Sequence, residues 1–432
     1  MKKYNVLLIG SGGREHALAL KISQSALLQE FYAFPGNPGI ASVAECIPGK
    51  PTDFQKIKRI VEEKSVDLVV VGPEDPLAAG LKDYLDENMS PAPLFIGPGK
   101  DGARLEGSKD FAKEFMVRHN IPTAAYRTFT GENSEGAKAF LKTLTPPFVL
   151  KADGLAAGKG VLILDTEEEA CSALDEMFGG RFGDAGSKVV IEEFLKGTEV
   201  SFFVVTDGKD WVLLPEAKDY KRAMDGDEGL NTGGMGSVSP VPFADAAFRK
   251  KVEDRIIRPT VEGLRAEGVD YRGFIFFGLM DCGGDPYVIE YNVRMGDPET
   301  ESVMARIDSG FLEILVAAAE GNLAGKEVKI TPDAAITAVI VSGGYPGDYR
   351  KGIEIHGIDR LDEDFTVHHA GTAIKDGCLV TSGGRVLALT VLGKNLKEAR
   401  ERIYSNIDRI VFEGSFRRSD IGKDMVEMEE RS

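Results

Sequence analysis

The chain has 432 residues and a formal net charge of −17 at pH 7, and 43% of its residues are hydrophobic while 28% are charged. This length exceeds what one hydrophobic core normally serves, so it predicts a globular protein of two to four domains. The acidic balance argues against a general nucleic-acid-binding protein or one that binds anionic membranes, and no apolar run approaches the length of a membrane span.

The four cysteines favour a cytoplasmic protein. They lie at positions 46, 171, 282 and 378, with no CxxC pair and no spacing typical of a disulfide framework. Scattered cysteines of this kind are typical of the reducing cytoplasm. We expect small-molecule partners, and the composition leaves the oligomeric state open, a monomer included.

Alternating strands and helices are predicted for residues 1–104. A glycine-rich turn follows the first strand and leads into the first helix. The strands are predicted at 4–10, 31–39, 67–74 and 93–98. Strand–helix alternation of this length predicts a parallel sheet, so we expect a Rossmann-like α/β domain at 1–104.

Residues 105–327 have a different pattern, which predicts antiparallel sheets. A helix is expected at 108–121, with Ser108 as its N-cap, and another at 244–267. The strands are predicted at 147–151, 160–165, 188–195 and 199–205, with a hairpin at 273–281 and 287–294.

The remainder, 328–432, predicts a small α+β domain. It contains two apolar strands and a helix expected at 395–411. The charged tail GKDMVEMEERS is expected to be frayed surface.

The loop GSGGREH (10–16) lies between the first strand and the first helix. Backbone N–H groups at a helix start favour anions, so a phosphate group could bind at Gly12 and Gly13. The loop departs from the dinucleotide-binding fingerprint, because Glu15 stands where the third glycine belongs and no acidic residue ends the second strand. The alternative is a tight turn without a ligand. Two further loops, PGNPG and GPE, follow strands of the same sheet and favour a ligand at this edge.

A second loop, KADGLAAGKG (151–160), joins strand to strand. It is not a P-loop. The spacing from Gly154 to Gly158 and Lys159 is one residue shorter than in a P-loop, and Gly160 stands where a P-loop has a Ser or Thr that reaches Mg²⁺. A hairpin loop of this kind can cover nucleotide phosphates, and Lys151 and Lys159 would supply charge. The alternative is a flexible surface hairpin. Lys151 argues against it, because this lysine ends an apolar strand, where a charged side chain is unusual unless it has a specific role.

The segment VIEYNVRMGDPETE (288–301) has a two-residue period. Glu290, Asn292 and Arg294 share one face of the predicted strand. A carboxylate and an amide offer the hard oxygen ligands that Mg²⁺ takes, with its other ligands coming from substrate phosphates and water. Arg294 could hold an anionic group nearby, while the alternative is an exposed polar strand face.

The stretch from Glu192 to Glu199 ends one strand and begins another. Such a connector can offer backbone groups to an adenine edge, and Glu199 could accept hydrogen bonds from ribose hydroxyls. The alternative is a set of carboxylates exposed to solvent.

Taken in order, these stretches resemble the ATP-grasp ligases and, within them, the phosphoribosylamine–glycine ligase family. The resemblance covers nearly the whole chain. Its motifs are GSGGREHAL (10–18), PGNPG (35–39), VGPEDPL (71–77), LEGSKDFAKEFM (105–116), KADGLAAGKGV (151–161), IEEFLKGTEVS (191–201), NTGGMGSVSP (231–240), RMGDPETE (294–301), GGYPGDY (343–349) and HAGT (369–372). The family implies an N-terminal domain at 1–104, an ATP-grasp core at 105–327 with a mobile lid at about 122–195, and a C-terminal domain at 328–432.

The resemblance also implies a reaction and a set of site residues. Glycine is joined to phosphoribosylamine through a glycyl phosphate in purine synthesis, with ATP split to ADP and phosphate, and Glu290 and Asn292 carry Mg²⁺ or Mn²⁺. Lys151 and Arg294 are the implied catalytic residues. The implied ATP-binding residues are Lys109, Lys151, Gly154, Gly158, Lys159, Glu192, Phe194, Leu195 and Glu199. The implied substrate-binding residues are Gly12, Gly13, Arg14, Glu74, Asp219, Lys221, Arg294 and Asp297.

The chain departs from the commoner family pattern around the expected glycine pocket. Many members have Gln and His where this chain has Lys218 and Tyr220. Leu230 replaces a usual proline, Met295 a usual phenylalanine and Glu301 a usual glutamine. Three other functions remain as rivals, namely a different ATP-grasp ligase, an NAD-binding oxidoreductase built on GSGG, and a nucleotide sensor without turnover.

Overall fold

The computed structural model of the protein describes residues 2–154 and 160–431. Its first sheet has five strands, which are all parallel, so the parallel α/β prediction is confirmed. Across the sheet the strands are Glu45–Cys46, Leu28–Pro35, Tyr4–Gly10, Leu68–Val71 and Leu94–Ile96. The order places the carboxyl ends of Tyr4–Gly10 and its two neighbours side by side, which is where ligands bind in such sheets.

A four-stranded antiparallel sheet occupies the predicted lid. Its strands, in spatial order, are Tyr126–Thr130, Lys188–Glu193, Phe148–Ala152 and Val161–Leu164. The sheet has its own hydrophobic cluster, which includes Leu150, Leu174 and Ile191. The sheet thus has a core of its own, while the bounds and the mobility of the lid stay predictions.

The second antiparallel sheet carries the predicted metal face. Its order is Trp211–Leu213, Thr198–Thr206, Gly273–Asp281 and Pro286–Asn292. The hairpin prediction is confirmed, but its second strand ends at Asn292 rather than at 294. Arg294 therefore lies in the bend beyond the strand, because the chain turns there toward Gly296 and Pro298.

A third antiparallel sheet joins the central and C-terminal parts. Its order is Lys218–Asp219, Gly236–Ser239, Ala334–Val341, Arg385–Gly393 and Thr366–His369. Shorter pairs are Arg222–Met224 with Glu228–Asn231, Ile307–Ser309 with Lys329–Ile330, and Thr372–Lys375 with Cys378–Thr381. Because strands from both sides of residue 328 share this sheet, C-terminal side chains are placed next to the central loops. The predicted domain boundaries remain predictions.

The α-helices are Gly13–Ser23, Phe54–Glu63, Glu74–Ala78, Leu81–Asn88, Lys100–Gly107, Lys109–Arg118, Ser134–Leu141, Glu167–Glu176, Ala246–Val252, Arg258–Ala266, Glu299–Arg306, Phe311–Glu320, Leu396–Asn406 and Lys423–Glu429. Ser108 caps its helix as predicted, since its Oγ accepts a hydrogen bond from the Phe111 N–H at 3.1 Å. Within residues 2–154 and 160–431, no helix has both the length and the apolar character that a membrane crossing requires.

The C-terminal tail is ordered, so the prediction of a frayed tail was wrong. It forms the helix Lys423–Glu429, and Met425 is 1% exposed. Asp424 accepts a hydrogen bond from the Tyr220 hydroxyl at 2.5 Å and pairs with Lys218 Nζ at 2.8 Å. The local pattern of mixed charges gave no sign of these partners, which lie about 200 positions earlier.

Candidate active site

The first loop leaves three backbone N–H groups free at the start of helix Gly13–Ser23. The N–H of Gly12 donates to Glu15 Oε2 at 2.5 Å. Those of Gly13, Arg14 and Glu15 have no acceptor among the described residues. Glu15 also packs closely against Gly72. A Cβ placed on Gly72 would lie only 2.2 Å from Glu15 Oε1, so the glutamate occupies the space that a side chain there would need. Glu15 therefore stabilises the turn at the position where a dinucleotide-binding fingerprint has its third glycine. The N–H groups that have no acceptor among the described residues remain suited to binding an anion.

Arg14 connects this loop to the segment after the metal-face strand. Its guanidinium is buried, with Nε donating to Glu15 Oε1 at 2.7 Å and Nη1 to the Met295 carbonyl at 3.1 Å. Burial opposes the charge, but the nearby carboxylates of Glu15, Glu74 and Asp297 raise the pKa of Arg14 above its ordinary value. The side chain holds the loop in place, and its direct contact with substrate stays a prediction.

Arg294 is held by two carboxylates. Its Nε lies 3.3 Å from Glu74 Oε2 and its Nη2 lies 2.8 Å from Glu106 Oε1. Burial raises the pKa of Glu106. Burial would also raise the pKa of Glu74, but the charges of Arg294 and Arg14 outweigh burial, so the pKa of Glu74 is lowered. Glu106 was not predicted as a site residue, although it lies within the quoted motif at 105–116.

Lys151 is buried at the end of its strand, and the structure gives the reason for a lysine there. Its Nζ donates to the Ile289 carbonyl at 3.1 Å and lies 2.9 Å from Glu192 Oε1. Lys113 Nζ lies 2.9 Å from the other oxygen of Glu192. Burial lowers the pKa of Lys113 to about 8. Although burial would raise the pKa of Glu192, the two lysines lower it, so Glu192 is a buried carboxylate rather than a solvent-exposed one.

The Ile289 carbonyl is available because the hairpin is irregular at this point. Gly278 pairs with Glu290, but Leu279 pairs with Val288, so Ile289 is the extra residue of a bulge. This bulge joins the lid lysine to the metal-face strand. Lys113 was not predicted, although its position one helical turn after Lys109 places both on the same side of the helix.

Lys109 connects the helix Lys109–Arg118 to the lid loop. Its Nζ donates to the Gly154 carbonyl at 2.9 Å. Burial lowers the pKa of Lys109, and the nearby charge of Glu290 partly opposes that change. Gly154 has φ +139°, a conformation that favours glycine. Gly158 and Lys159 lie outside the described residues, so their predicted contacts with ATP stay predictions.

The connector expected to hold adenine begins where strand Lys188–Glu193 ends. Phe194 is 38% exposed, and Leu195 is half-buried. Glu199 is the second residue of strand Thr198–Thr206, and its Oε2 lies 2.6 Å from Lys221 Nζ. The structure thus brings Glu199 beside a predicted substrate-binding lysine, while the adenine and ribose roles stay predictions.

Glu290 and Asn292 lie on one face of strand Pro286–Asn292, as predicted. Neither side chain forms a hydrogen bond or ion pair with the described residues. The charge of Glu290 acts on Lys109 and on Lys221, so the carboxylate lies between the two groups of lysines. The described residues contain no cluster of three or more His, Cys, Asp or Glu that could hold a metal. One carboxylate and one amide fit a divalent cation whose remaining ligands are phosphate oxygens and water.

A group of buried acids surrounds the predicted glycine pocket. Burial, together with Glu299, raises the pKa of Asp219 well above its ordinary value, and one oxygen of Asp219 has no hydrogen-bond partner among the described residues. Asp297 pairs with Arg385 Nη1 at 3.0 Å. Arg385 also donates to the Gly233 carbonyl, so the C-terminal sheet closes the pocket. Nothing in the local sequence pointed to Arg385, because its role depends on a contact between distant parts of the chain.

Comparison with known proteins identifies all three parts of the chain. Residues 4–106, 107–300 and 335–424 match the N domain, the ATP-grasp (A) domain and the C domain of phosphoribosylglycinamide synthetase. The chain is 50% identical to a phosphoribosylamine–glycine ligase of Caulobacter vibrioides, over 98% of each chain. It is 48% identical to the enzyme of that name from Agrobacterium fabrum, over 96% of this chain and 97% of the relative.

A crystal structure agrees with these matches. The structure of phosphoribosylamine–glycine ligase from Thermotoga maritima is 38% identical, with a TM-score of 0.85, and the match covers 96% of this chain and 100% of the other. The predicted architecture of a parallel N-terminal domain, an ATP-grasp domain and a C-terminal domain is confirmed. The chain therefore belongs to the phosphoribosylglycinamide synthetase family of ATP-grasp ligases.

Proposed function

We propose that the chain joins glycine to 5-phosphoribosylamine, producing glycinamide ribonucleotide, ADP and phosphate in purine biosynthesis. The observation that carries this proposal is that two candidate anion sites are joined to the same segment of chain. Arg14 of the first loop donates to the Met295 carbonyl just beyond the polar strand, and Lys151 donates to the Ile289 carbonyl within it. The free N–H groups after Gly12 suit the sugar phosphate, while Lys109 and Lys151 suit the phosphates of ATP. Glu290 and Asn292 lie beside the lysines, where ATP and glycine would react.

In the first step, the carboxylate of glycine attacks the γ-phosphorus of ATP. An O–P bond forms, the bond to the leaving oxygen of ADP breaks, and the product is glycyl phosphate. Lys109 and Lys151 offset the repulsion between the two anions. Glu290 and Asn292 would hold a divalent cation, Mg²⁺ or Mn²⁺, which would supply positive charge that offsets part of the charge of the phosphates.

The pocket beyond the strand suits glycine. Lys221 is half-buried and surrounded by acids, and the charges of Glu199, Glu290 and Asp219 raise its pKa despite its partial burial, so it is cationic. We place the glycine carboxylate beside Lys221 and its ammonium group beside Asp219. A cationic ligand there would pair with the Asp219 oxygen that has no partner among the described residues.

In the second step, the amine of phosphoribosylamine attacks the carbonyl carbon of glycyl phosphate. A C–N bond forms, the C–O bond to phosphate breaks, and the nitrogen loses a proton. Acyl phosphates hydrolyse, so the lid sheet would need to exclude water during this step. The cytoplasm is the expected location, in agreement with the four cysteines, which are all free thiols.

The test is an ADP-release assay over a matrix of substrates. We expect ADP only when glycine, a divalent metal and freshly made phosphoribosylamine are present together. Release with another acid or amine, but not with this pair, would indicate a different ATP-grasp ligase. ATP binding without any turnover would indicate a sensor. NAD binding in place of ATP would restore the oxidoreductase alternative.

A further inference from the structure

Glu301 is a buried acid that the proposed steps do not use. It is 1% exposed, and neither of its carboxyl oxygens has a hydrogen-bond partner among the described residues. The side chain extends from helix Glu299–Arg306 toward the start of helix Gly13–Ser23. A Cβ placed on Gly13 would lie 2.5 Å from Glu301 Oε1. A buried polar group without a partner is thus aimed at the loop with three free N–H groups.

The surroundings of Glu301 favour its neutral form. Burial and the charge of Asp297 raise the pKa of Glu301 well above its ordinary range, and Glu299 adds to the effect. Arg385 opposes it, but Arg385 pairs directly with Asp297 at 3.0 Å. Because the cation beside this site is paired with Asp297 rather than with Glu301, the raised pKa keeps Glu301 protonated.

The charges that act most on Glu301 are those of Asp297, Arg385 and Glu299. Arg14 of the first helix is already engaged, since it donates to Glu15 and to the Met295 carbonyl. The strands behind the helix present hydroxyl groups, which reach Ser302 rather than Glu301: Ser237 at 2.8 Å and Thr337 at 2.7 Å. The first helix presents Gly13, and the C-terminal segment presents Ala370, whose Cβ would lie 3.7 Å from a Cβ on Gly13. Neither of these residues carries a charge.

We propose that Glu301 is a neutral hydrogen-bond donor to the phosphate group of phosphoribosylamine, bound at the start of helix Gly13–Ser23. This inference rests on the proposed function for the identity of the sugar phosphate. An ionised carboxylate at this position would repel the phosphate, whereas a carboxylic acid donates its O–H to it. A glutamine side chain at this position is also a neutral donor, so Glu301→Gln can make the same contact.

The test uses ribose 5-phosphate, which has the same phosphate group but no amine to react. Its affinity is measured by calorimetry for the wild type, Glu301→Gln and Glu301→Met. At about pH 7 we expect Glu301→Gln to bind within a few-fold of the wild type. Glu301→Met should bind about tenfold more weakly, because it lacks a hydrogen bond to a charged group.

The pH dependence has a definite sign. A raised pKa keeps Glu301 a donor below that pKa, and the donor is lost as pH rises through it. The phosphate is already close to its dianion at about pH 7, since its second pKa is about 6. Between about pH 7 and about pH 9 the affinity of the wild type should therefore stay level or fall and should not rise, both by itself and relative to Glu301→Gln.

Three results would overturn the inference. They are a tenfold loss in Glu301→Gln at about pH 7, wild-type affinity in Glu301→Met, and tighter binding by the wild type as pH rises. The last needs only the wild-type protein, so it decides the matter even if neither variant folds. Because ribose 5-phosphate binding requires no turnover, a failed ligase assay would reject the proposed reaction separately from this contact.

Discussion

Glu290→Gln should lower turnover by at least about a hundredfold at saturating substrates, while the protein stays folded. The substitution keeps the size of the side chain but removes the negative charge of the proposed metal ligand. Loss of a charge that holds the cation at the transferring phosphoryl group can cost several kcal/mol of transition-state stabilisation. The wild-type side chain makes no hydrogen bond or ion pair with the described residues, so little folding energy depends on it. Steady-state ADP release over a magnesium titration measures the effect.

A matched control is Glu262→Gln, an exposed glutamate on helix Arg258–Ala266. It should change neither turnover nor the magnesium requirement. A folded Glu290→Gln enzyme with near-normal turnover at limiting magnesium would reject Glu290 as the metal ligand.

Lys151→Met should raise the KM for ATP and reduce turnover, together by about a hundredfold or more in kcat/KM. The reason is the loss of a positive charge from a buried position, where electrostatic interactions are strong. Lys113 Nζ remains 2.9 Å from Glu192 Oε2, so the carboxylate keeps one cationic partner. ATP titrations, with the melting temperature as a check on folding, measure the effect.

Gly13→Ala should give the opposite pattern. Its new methyl group would lie 2.5 Å from Glu301 Oε1, so the Glu301 side chain must move within the proposed sugar-phosphate site. We expect a higher KM for phosphoribosylamine and nearly unchanged ATP binding. Loss of ATP binding in folded Gly13→Ala would instead place the nucleotide in the first domain and favour the oxidoreductase alternative.

Strand periodicity was sufficient to place side chains within a single strand. The alternation around Glu290 and Asn292 placed both side chains on one face, because side chains of a strand alternate whatever the strand packs against. A lysine at the end of an apolar strand also indicated a buried charge at Lys151. Arg294 was assigned to the strand in error, since periodicity continues past the residue at which hydrogen bonding stops.

Contacts between distant segments could not be predicted in this way. Arg385 reaches Asp297 across 88 positions, and the tail residue Asp424 reaches Tyr220 across 204. The sequence marked Glu301 only as a departure from the family pattern. Its lack of hydrogen-bond partners among the described residues depends on how helix Glu299–Arg306 packs against helix Gly13–Ser23. The residues missed are those whose partners come from another part of the fold.

The most direct test of the acyl-phosphate route follows one oxygen atom. Glycine labelled with ¹⁸O in its carboxylate is supplied with ATP, a divalent metal and freshly made phosphoribosylamine. If the carboxylate attacks the γ-phosphorus, its bridging oxygen leaves with phosphorus, so the released phosphate should carry one label and the nucleotide product should be ADP. Unlabelled phosphate while the amide still forms, or AMP as the nucleotide product, would contradict the proposed mechanism.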